Sequence, residues 1–123
     1  MLDRTSPTVL LVDDDADLRA ALTFLFETEG YAVHAFASAE AALESDESSA
    51  ACLVLDQRLP GLSGLDLLER MRAQGFSAPA ILITTHPSGR ERARARAAKA
   101  QVLEKPLLGD ELAKLVGGAS RAG

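Results

Sequence analysis

Short apolar runs of strand length recur along the chain. They are TVLLV (8–12), YAVHAF (31–36), CLVLD (52–56), AILIT (80–84) and the weaker QVLE (101–104). Most of these runs are continuously apolar rather than alternating, which is typical of strands that are buried on both faces of a parallel sheet. The pattern therefore predicts five central strands.

The segments between these runs carry apolar residues at helical spacing. Leu18, Leu22 and Phe26 form one face of the first such segment, and Ser63 with Asp66 three residues later gives a capping-box signal for the third. Strands that alternate with helices predict an α/β fold. We expect a single domain built on a doubly wound five-stranded parallel sheet of (βα)5 type.

The length and the end of the chain set the expected domain boundaries. A chain of 123 residues is long enough for one domain and contains no obvious linker or internal repeat. We expect the domain to span residues 1–116. Residues 117–123, GGASRAG, are expected to form a flexible C-terminal tail, since the last residues of a domain are often poorly ordered.

Composition and charge narrow the class of protein. The 13 basic and 18 acidic residues give a net charge of −5, which argues against direct nucleic acid binding through phosphate neutralisation. The single cysteine, Cys52, excludes an internal disulfide and is expected to be a buried structural thiol. No apolar stretch is long enough to span a bilayer, so we expect a cytoplasmic protein without membrane contact.

Acidic residues follow the two most apolar runs. Asp13 and Asp14 come directly after the first run, and Asp56 ends the third. In open α/β sheets, ligands bind beyond the carboxyl ends of the strands, so we expect these three side chains to share one cleft. Their carboxylates repel one another unless a cation is present. Mg²⁺ prefers carboxylate and phosphate oxygens, so the sequence predicts a magnesium site.

Two other interpretations of the acids fit less well. Asp13, Asp15 and Asp17 have the spacing that opens an EF-hand loop, but Leu18 and Phe24 occupy the positions of its glycine and glutamate. A haloacid-dehalogenase-like phosphatase also has an aspartate after its first strand, but DDDADL lacks the usual Asp-x-Asp-x-Thr. Asp15 and Asp17 are better explained as residues that favour the start of a helix.

Two further polar residues stand at the ends of the later runs. Thr84 closes the fourth run, and Lys105 follows the fifth, directly before Pro106. Together with the three acids, in this order, they resemble the response regulator receiver domain of bacterial two-component signalling. The resemblance runs from VLLVDDD through LVLDQRLPGLSG and ILIT to LEKP. It implies the flavodoxin-like strand order 2-1-3-4-5.

The resemblance implies a phosphoacceptor and a metal site. Asp56 would accept a phosphoryl group from a sensor histidine kinase or a phosphotransfer protein in a Mg²⁺-dependent reaction. Asp13, Asp14, Asp56 and the backbone carbonyl of Arg58 would hold the metal. Such a chain is a phosphoacceptor that turns over only its own acyl phosphate, and not an enzyme with an external substrate.

The resemblance also implies contacts to the phosphoryl group. Lys105 would pair with Asp56 and then with the phosphoryl oxygens, and Thr84 would donate its hydroxyl. Thr85 stands where the family favours Ala or Gly, so its larger side chain is expected to narrow access. The peptide bond between Lys105 and Pro106 is expected to be cis.

The chain departs from the family at a position that usually relays phosphorylation. Three residues before Lys105 the family most often has Tyr or Phe, and this chain has Val102. We therefore expect phosphorylation to shift residues 86–100 with little rearrangement at Val102. Partner binding, or a homodimer, would use the surface formed by the fourth helix, the fifth strand and the fifth helix.

Three cationic or polar features have two interpretations each. Arg58 and His86, two residues beyond Asp56 and Thr84, would either shield the acyl phosphate from water or be solvated loop residues. The arginine-rich segment GRERARARAAKA (89–100) is expected to be a solvated helix face, with docking of acidic partners as the second interpretation.

The sequence is also compatible with functions different from those of a receiver that acts alone. The chain could be the N-terminal receiver part of a longer DNA-binding transcription regulator, because DQRLPGLSG looks like the loops of receivers joined to helix-turn-helix domains. It could be a degenerate receiver that binds a partner without phosphorylation. The least favoured function is that of a small phosphatase of the haloacid-dehalogenase type.

Overall fold

The computed structural model describes residues 6–107 and 111–122, in which five strands alternate with five helices. The strands are β1 (Thr8–Val12), β2 (Ala32–Phe36), β3 (Cys52–Asp56), β4 (Ala80–Thr84) and β5 (Ala100–Glu104). The helices are α1 (Ala16–Thr28), α2 (Ala39–Glu44), α3 (Gly64–Ala73), α4 (Gly89–Ala97) and α5 (Glu111–Ala122). Of the residues in the expected domain and tail, 1–5, 108–110 and Gly123 lie outside the described residues.

The strands form one parallel sheet in the order β2-β1-β3-β4-β5. This confirms the doubly wound (βα)5 fold and the strand order 2-1-3-4-5. Every residue of the central strands β3 and β4 is buried, whereas the edge strands β2 and β5 are only partly covered. The chain places β2 on one side of β1 and β3 on the other side. The carboxyl ends of β1 and β3 therefore flank the topological switch point.

Helices cover both faces of the sheet and produce two apolar clusters. One cluster contains strand residues such as Leu53 and Leu55, with Leu65 and Leu68 from α3. Alternate residues of a strand point to opposite faces, so only a continuously apolar strand can supply both clusters. Burial of each large side chain contributes roughly 1.5–3 kcal/mol. This explains why the strands lack the alternation of a half-exposed sheet.

Side-chain caps fix where the helices begin. The Asp15 carboxylate accepts hydrogen bonds from the backbone N–H groups of Asp17 and Leu18 at the start of α1, as the sequence predicts. Ser63 and Asp66 form the predicted capping box of α3. These caps satisfy backbone donors that the helices themselves cannot pair.

The structure describes most of the expected C-terminal tail. Residues 117–122 belong to α5, which runs through Ala122, so this part of the expected flexible tail is helical. Gly117 lies against Tyr31, because a Cβ added to Gly117 would stand 3.6 Å from the tyrosine hydroxyl. Val116 is fully buried. Packing of the helix on the sheet thus overrides the poor helix propensity of glycine.

Two properties inferred from composition can be compared with the structure. Cys52 is buried in β3, and burial raises the pKa of its thiol to about 11. The thiol is therefore protonated at neutral pH, as expected for a structural cysteine. Within the described ranges, 6–107 and 111–122, no helix combines the length and the apolar character needed to cross a membrane.

Candidate functional site

Three carboxylates meet at the carboxyl edge of the sheet. Asp13 and Asp14 directly follow β1, and Asp56 is the last residue of β3. One oxygen from each carboxylate lies within 4.8 Å of the other two. Asp13 and Asp56 are buried, with 1% and 4% of their surface exposed, whereas Asp14 is exposed. The fold thus brings together the acids that the sequence places in one cleft.

Asp13 accepts two hydrogen bonds and keeps one carboxylate oxygen without a partner among the described residues. Its Oδ1 accepts a hydrogen bond of 2.9 Å from the backbone N–H of Asp15, and its carbonyl accepts one of 2.8 Å from Arg19 Nη1. Its Oδ2 is buried and has no hydrogen-bond partner among the described residues. Buried polar atoms are nearly always paired, so this oxygen is available to a water molecule or a ligand outside the chain.

The electrostatics of the cleft point to a cation. Burial raises the pKa of the Asp13 carboxyl above its usual value. The N–H of Asp15 lowers this pKa, the charges of Asp56 and Asp14 raise it further, and the charge of Lys105 lowers it. The neighbouring negative charges of Asp56 and Asp14 thus oppose ionisation of Asp13 in the protein alone. A divalent cation relieves that repulsion, and Mg²⁺ is a hard divalent cation that prefers oxygen ligands.

Lys105 contacts the carboxylate of Asp56 directly. Its Nζ donates a hydrogen bond of 3.1 Å to Asp56 Oδ2, and the backbone N–H of Arg58 donates one of 3.3 Å to Asp56 Oδ1. The backbone N–H of Lys105 also donates to the Thr84 carbonyl at 2.8 Å. The Lys105–Pro106 peptide bond is cis. Both oxygens of Asp56 are thus oriented by donors from separate segments.

The hydroxyl of Thr84 is a second buried polar atom at this edge of the sheet. Thr84 ends β4, beside β3, and only 1% of its surface is exposed. Its Oγ1 makes no hydrogen bond to any other described residue. A buried hydroxyl of this kind has an unused donor that a ligand oxygen can accept. Thr84 Oγ1 and Asp13 Oδ2 are therefore both buried polar atoms that a ligand could satisfy.

An open cavity of about 590 Å³ adjoins this cleft and shares Lys105 with it. Its lining consists of Leu18, Thr85, His86, Lys105, Pro106 and Leu107. Thr85 and His86 are exposed, and His86 adopts the left-handed backbone conformation with φ of 48°. The cavity gives a second molecule direct access to the side of the cleft where Lys105 stands.

Val102 lies on the edge strand β5, away from the three acids. It is half-buried, packs against the cluster that contains Leu53 and Leu82, and pairs with Leu82 in the sheet register. It borders an open cavity of about 410 Å³ beside α4, which is lined also by Arg92, Arg96, Lys99, Ala100 and Gln101. A small branched side chain leaves this space open.

One glycine of the site is explained by a close approach. A Cβ at Gly64 would overlap the backbone carbonyl of Asp56, and the Gly64 N–H donates to the Gln57 carbonyl at 3.1 Å. The first residue of α3 is thus packed directly on the end of β3. Only glycine permits this contact without a shift of the backbone.

Gln57 is a site-adjacent residue that sequence reasoning missed. Only 8% of its surface is exposed, its Oε1 accepts from the Leu65 N–H at 2.8 Å, and its Nε2 donates to Glu91 Oε2 at 3.2 Å. The sequence signal that could have found it is a polar residue directly after Asp56, at the end of a strand that is buried throughout. Its partner Glu91 is 34 positions away in sequence, which no local pattern reveals.

Known proteins match both the sequence and the fold. The family model described as the response regulator receiver domain matches residues 9–117. The transcriptional regulatory protein FixJ of Bradyrhizobium diazoefficiens is 36% identical over 121 residues, which cover 95% of this chain and 58% of FixJ. Nodulation protein W of the same organism is 45% identical over 83 residues, covering 67% of this chain and 37% of that protein.

Solved structures agree with these relatives. The crystal structure of FixJ-N superposes with a TM-score of 0.82 at 32% identity, covering 98% of this chain and 96% of that chain. The response regulator StyR superposes with a TM-score of 0.87 at 34% identity, covering 96% of this chain and 61% of that chain. Sequence and fold therefore lead to one conclusion over nearly the full length: the chain belongs to the response regulator receiver domain family.

Proposed function

We propose that this chain is a phosphoacceptor, with Asp56 receiving a phosphoryl group from the phosphohistidine of a sensor histidine kinase or a phosphotransfer protein. The observation that supports this role best is the 3.1 Å contact between Lys105 Nζ and the buried Asp56 carboxylate, next to Asp13 and Asp14. A buried carboxylate held by an ammonium group in an anionic cleft is suited to bind a phosphoryl group rather than to stabilise the fold.

The transfer replaces one bond to phosphorus with another. An oxygen of Asp56 forms a bond to phosphorus, the bond from phosphorus to the donor imidazole nitrogen breaks, and an acyl phosphate results. Lys105 moves with the charge from the carboxylate to the phosphoryl oxygens. The unpartnered hydroxyl of Thr84 donates to another phosphoryl oxygen, and Thr85 borders the group and narrows its access.

The same residues account for a requirement for Mg²⁺. Asp13, Asp14, Asp56 and the backbone carbonyl of Arg58 would hold the metal. When bound, Mg²⁺ supplies positive charge that neutralises the carboxylates and the phosphoryl oxygens. The buried Oδ2 of Asp13 fits this assignment, because it has no hydrogen-bond partner among the described residues and metal coordination would use it.

The exposed residues at the mouth of the cleft would set the lifetime of the acyl phosphate. We infer that Arg58 and His86 shield it from water, since Arg58 follows Asp56 closely and His86 lines the cavity that contains Lys105. Replacement of both by Ala is expected to speed dephosphorylation about tenfold, measured as the decay of phosphorylated protein by intact mass. An unchanged decay rate would leave them as solvated loop residues.

The output would use the surface of α4, β5 and α5. Phosphorylation would shift residues 86–100, with little movement of Val102, and change partner binding or homodimerisation there. The chain spans 58% of the length of FixJ, which is named a transcriptional regulatory protein. This supports a role as the receiver part of a longer DNA-binding regulator. The proposed donors also predict that the protein works in the cytoplasm.

A mass measurement tests the phosphoacceptor. The protein is incubated with acetyl phosphate and Mg²⁺, and intact mass is read before and after removal of the metal with a chelator. We expect the mass to increase by one phosphoryl group in the wild type and in Asp15→Asn, which keeps the α1 cap. Asp56→Asn should remain unmodified. Equal labelling of Asp56→Asn and wild type would disprove the assignment.

A further inference from the structure

Helix α4 has little apolar anchoring. Ala95 is the buried residue within Gly89–Ala97, and the outward positions carry arginines. A methyl group removes little apolar area from water, so burial alone holds this helix weakly. Polar contacts must therefore determine where α4 lies against the sheet.

Most of these polar contacts are partly exposed ion pairs. Arg94 donates to Glu69 Oε1 at 2.6 Å and to Asp66 Oδ1 at 3.2 Å, both on α3, and Arg92 pairs with Glu104 on β5. Solvent weakens exposed ion pairs of this type. They attach α4 to its neighbours, but none of them reaches the strand that ends in Asp56.

Among the polar contacts of α4 with other described residues, the hydrogen bond from Gln57 to Glu91 reaches the position directly after that strand. Gln57 is the residue directly after Asp56, and its backbone N–H donates to the Ile83 carbonyl at 3.0 Å. Its Oε1 accepts from Leu65 at 2.8 Å, so its Nε2 must be the atom that faces Glu91. The side chain is buried and has one orientation that satisfies both partners.

Glu91 uses both carboxylate oxygens. Its Oε1 accepts from the Ser88 N–H at 2.9 Å and completes the capping box that starts α4, while its Oε2 accepts from Gln57 at 3.2 Å. The Ser88 hydrogen bond chiefly lowers the pKa of Glu91, and the hydrogen bond from Gln57 and the charge of Arg58 lower it further. The ionised carboxylate therefore joins the helix start to the residue after Asp56.

We propose that the Gln57–Glu91 hydrogen bond couples ligand occupancy at Asp56 to the N-terminus of α4. Gln57 acts here as a positioning residue, through Glu91, and the proposal rests on the phosphoacceptor role of Asp56. A group bound at Asp56 displaces the following residues, and the cap of α4 moves with them because both share Glu91. This coupling requires no large side chain at position 102.

A reciprocal exchange of the two side chains isolates this hydrogen bond. In Glu91→Gln the side-chain amide has one acceptor oxygen in place of two. It therefore loses either the hydrogen bond from the Ser88 N–H or the one from Gln57. In Gln57→Glu two carboxylates face each other. In the double variant Gln57→Glu/Glu91→Gln, the carboxylate at position 57 accepts from the Leu65 N–H and from the side-chain amide at position 91. The oxygen of that amide still accepts from the Ser88 N–H. The double variant thus restores every hydrogen bond and the total charge.

The measurement is amide hydrogen exchange with and without beryllofluoride and Mg²⁺, a non-covalent mimic of the acyl phosphate. Amides 91–96 report the start of α4, and amides 13–15 and 57–58 report occupancy of the cleft. Arg94→Met serves as the control for general loosening, since it removes the α3 ion pairs and leaves Gln57 and Glu91 intact.

We expect beryllofluoride to change exchange at both groups of amides in the wild type. The change at 91–96 should fall about fivefold in each single variant and return in the double variant, a pattern that loss of one hydrogen bond predicts. Arg94→Met should exchange faster at 91–96 but keep the response. If beryllofluoride changed exchange at 91–96 equally in wild type and both single variants, with the cleft occupied, the coupling would be disproved and the phosphoacceptor role would stand. No change at 13–15 and 57–58 in the wild type would instead count against the phosphoacceptor role.

Discussion

At the scale of single residues, the candidate site contains buried polar atoms that are unfavourable for the stability of the free protein. Asp13 Oδ2 and the Thr84 hydroxyl are both buried, and neither has a hydrogen-bond partner in the part of the chain that the structure describes. Unpaired buried polar atoms cost free energy in the folded state. Both atoms are therefore expected to destabilise the free protein and to become favourable only when a ligand is present.

The first prediction concerns Asp13→Asn in metal-free protein. The pKa of Asp13 is raised by folding, so ionisation favours the unfolded state, and stability falls as the pH rises from the unfolded pKa through the folded one. Asparagine still accepts from Asp15 but carries no charge. We expect the free energy of unfolding at neutral pH to increase by about 1 kcal/mol, measured by urea denaturation.

The control for this prediction is Asp46→Asn, which removes the same charge from a loop position outside the cleft. It should leave the free energy of unfolding nearly unchanged. At pH 3, below the unfolded pKa of about 3.9, Asp13 is protonated in both states, and the advantage of Asp13→Asn should disappear. A stability gain that persists there would contradict this electrostatic explanation.

The second prediction concerns the hydroxyl of Thr84. Thr84→Val keeps the shape of the side chain and removes a buried donor without a partner, so stability should stay equal or rise by up to about 1 kcal/mol. Phosphorylation by acetyl phosphate should slow about tenfold, because a donor to the phosphoryl oxygens is lost. Thr84→Ser retains the hydroxyl and should remain within about threefold of the wild-type rate. Equal rates for all three proteins would exclude the hydroxyl from the reaction.

At the scale of elements, the end of β3 and the start of α3 form one packed unit. Gly64 begins α3 and lies directly on the backbone carbonyl of Asp56, while the Ser63–Asp66 capping box fixes the helix start. Much of this arrangement can be predicted from the sequence, because the capping box is a local signal. The close approach of Gly64 cannot, since it depends on how the helix packs on the strand.

The third prediction follows from this packing. Gly64→Ala places a Cβ against the Asp56 carbonyl, so the backbone must shift, and the free energy of unfolding should fall by about 2 kcal/mol or more. Gly89→Ala is the matched control, since Gly89 also begins a helix but has no atom within 4 Å of the added Cβ. It should be neutral or slightly stabilising. Equal effects at both positions in urea denaturation would show that the contact is unimportant.

At the scale of the whole molecule, sequence patterns predict the fold well because each strand is a local apolar run. They also predict that Asp13, Asp14 and Asp56 meet, since parallel strands end at one edge. They do not predict the Gln57–Glu91 contact, which depends on side-chain rotamers of distant residues. Helix α5 packs on the sheet through Leu112 and Val116, with Gly117 near Tyr31, and composition alone does not contain these contacts.

The fourth prediction is a reversal of stability with metal. A ligand that binds only the folded state stabilises it by mass action, by about 2.7 kcal/mol at a concentration one hundred times its Kd. Added Mg²⁺ should therefore raise the Tm of the wild type but leave that of Asp13→Asn nearly unchanged. The variant should be the more stable protein in chelator and the less stable one in saturating Mg²⁺. Parallel rises in both proteins would place the metal elsewhere.

The weak apolar anchoring of α4 has a consequence for evolution. The core takes only a methyl group from this helix, at Ala95, whereas Arg90 and Arg96 are exposed on its outer face and lie outside the ion pairs with α3 and β5. Mutations on that outer face can therefore accumulate at little cost to folding. Duplicated copies of such a protein could diverge there to recognise different targets, while the acid-lined end of the sheet stays the same.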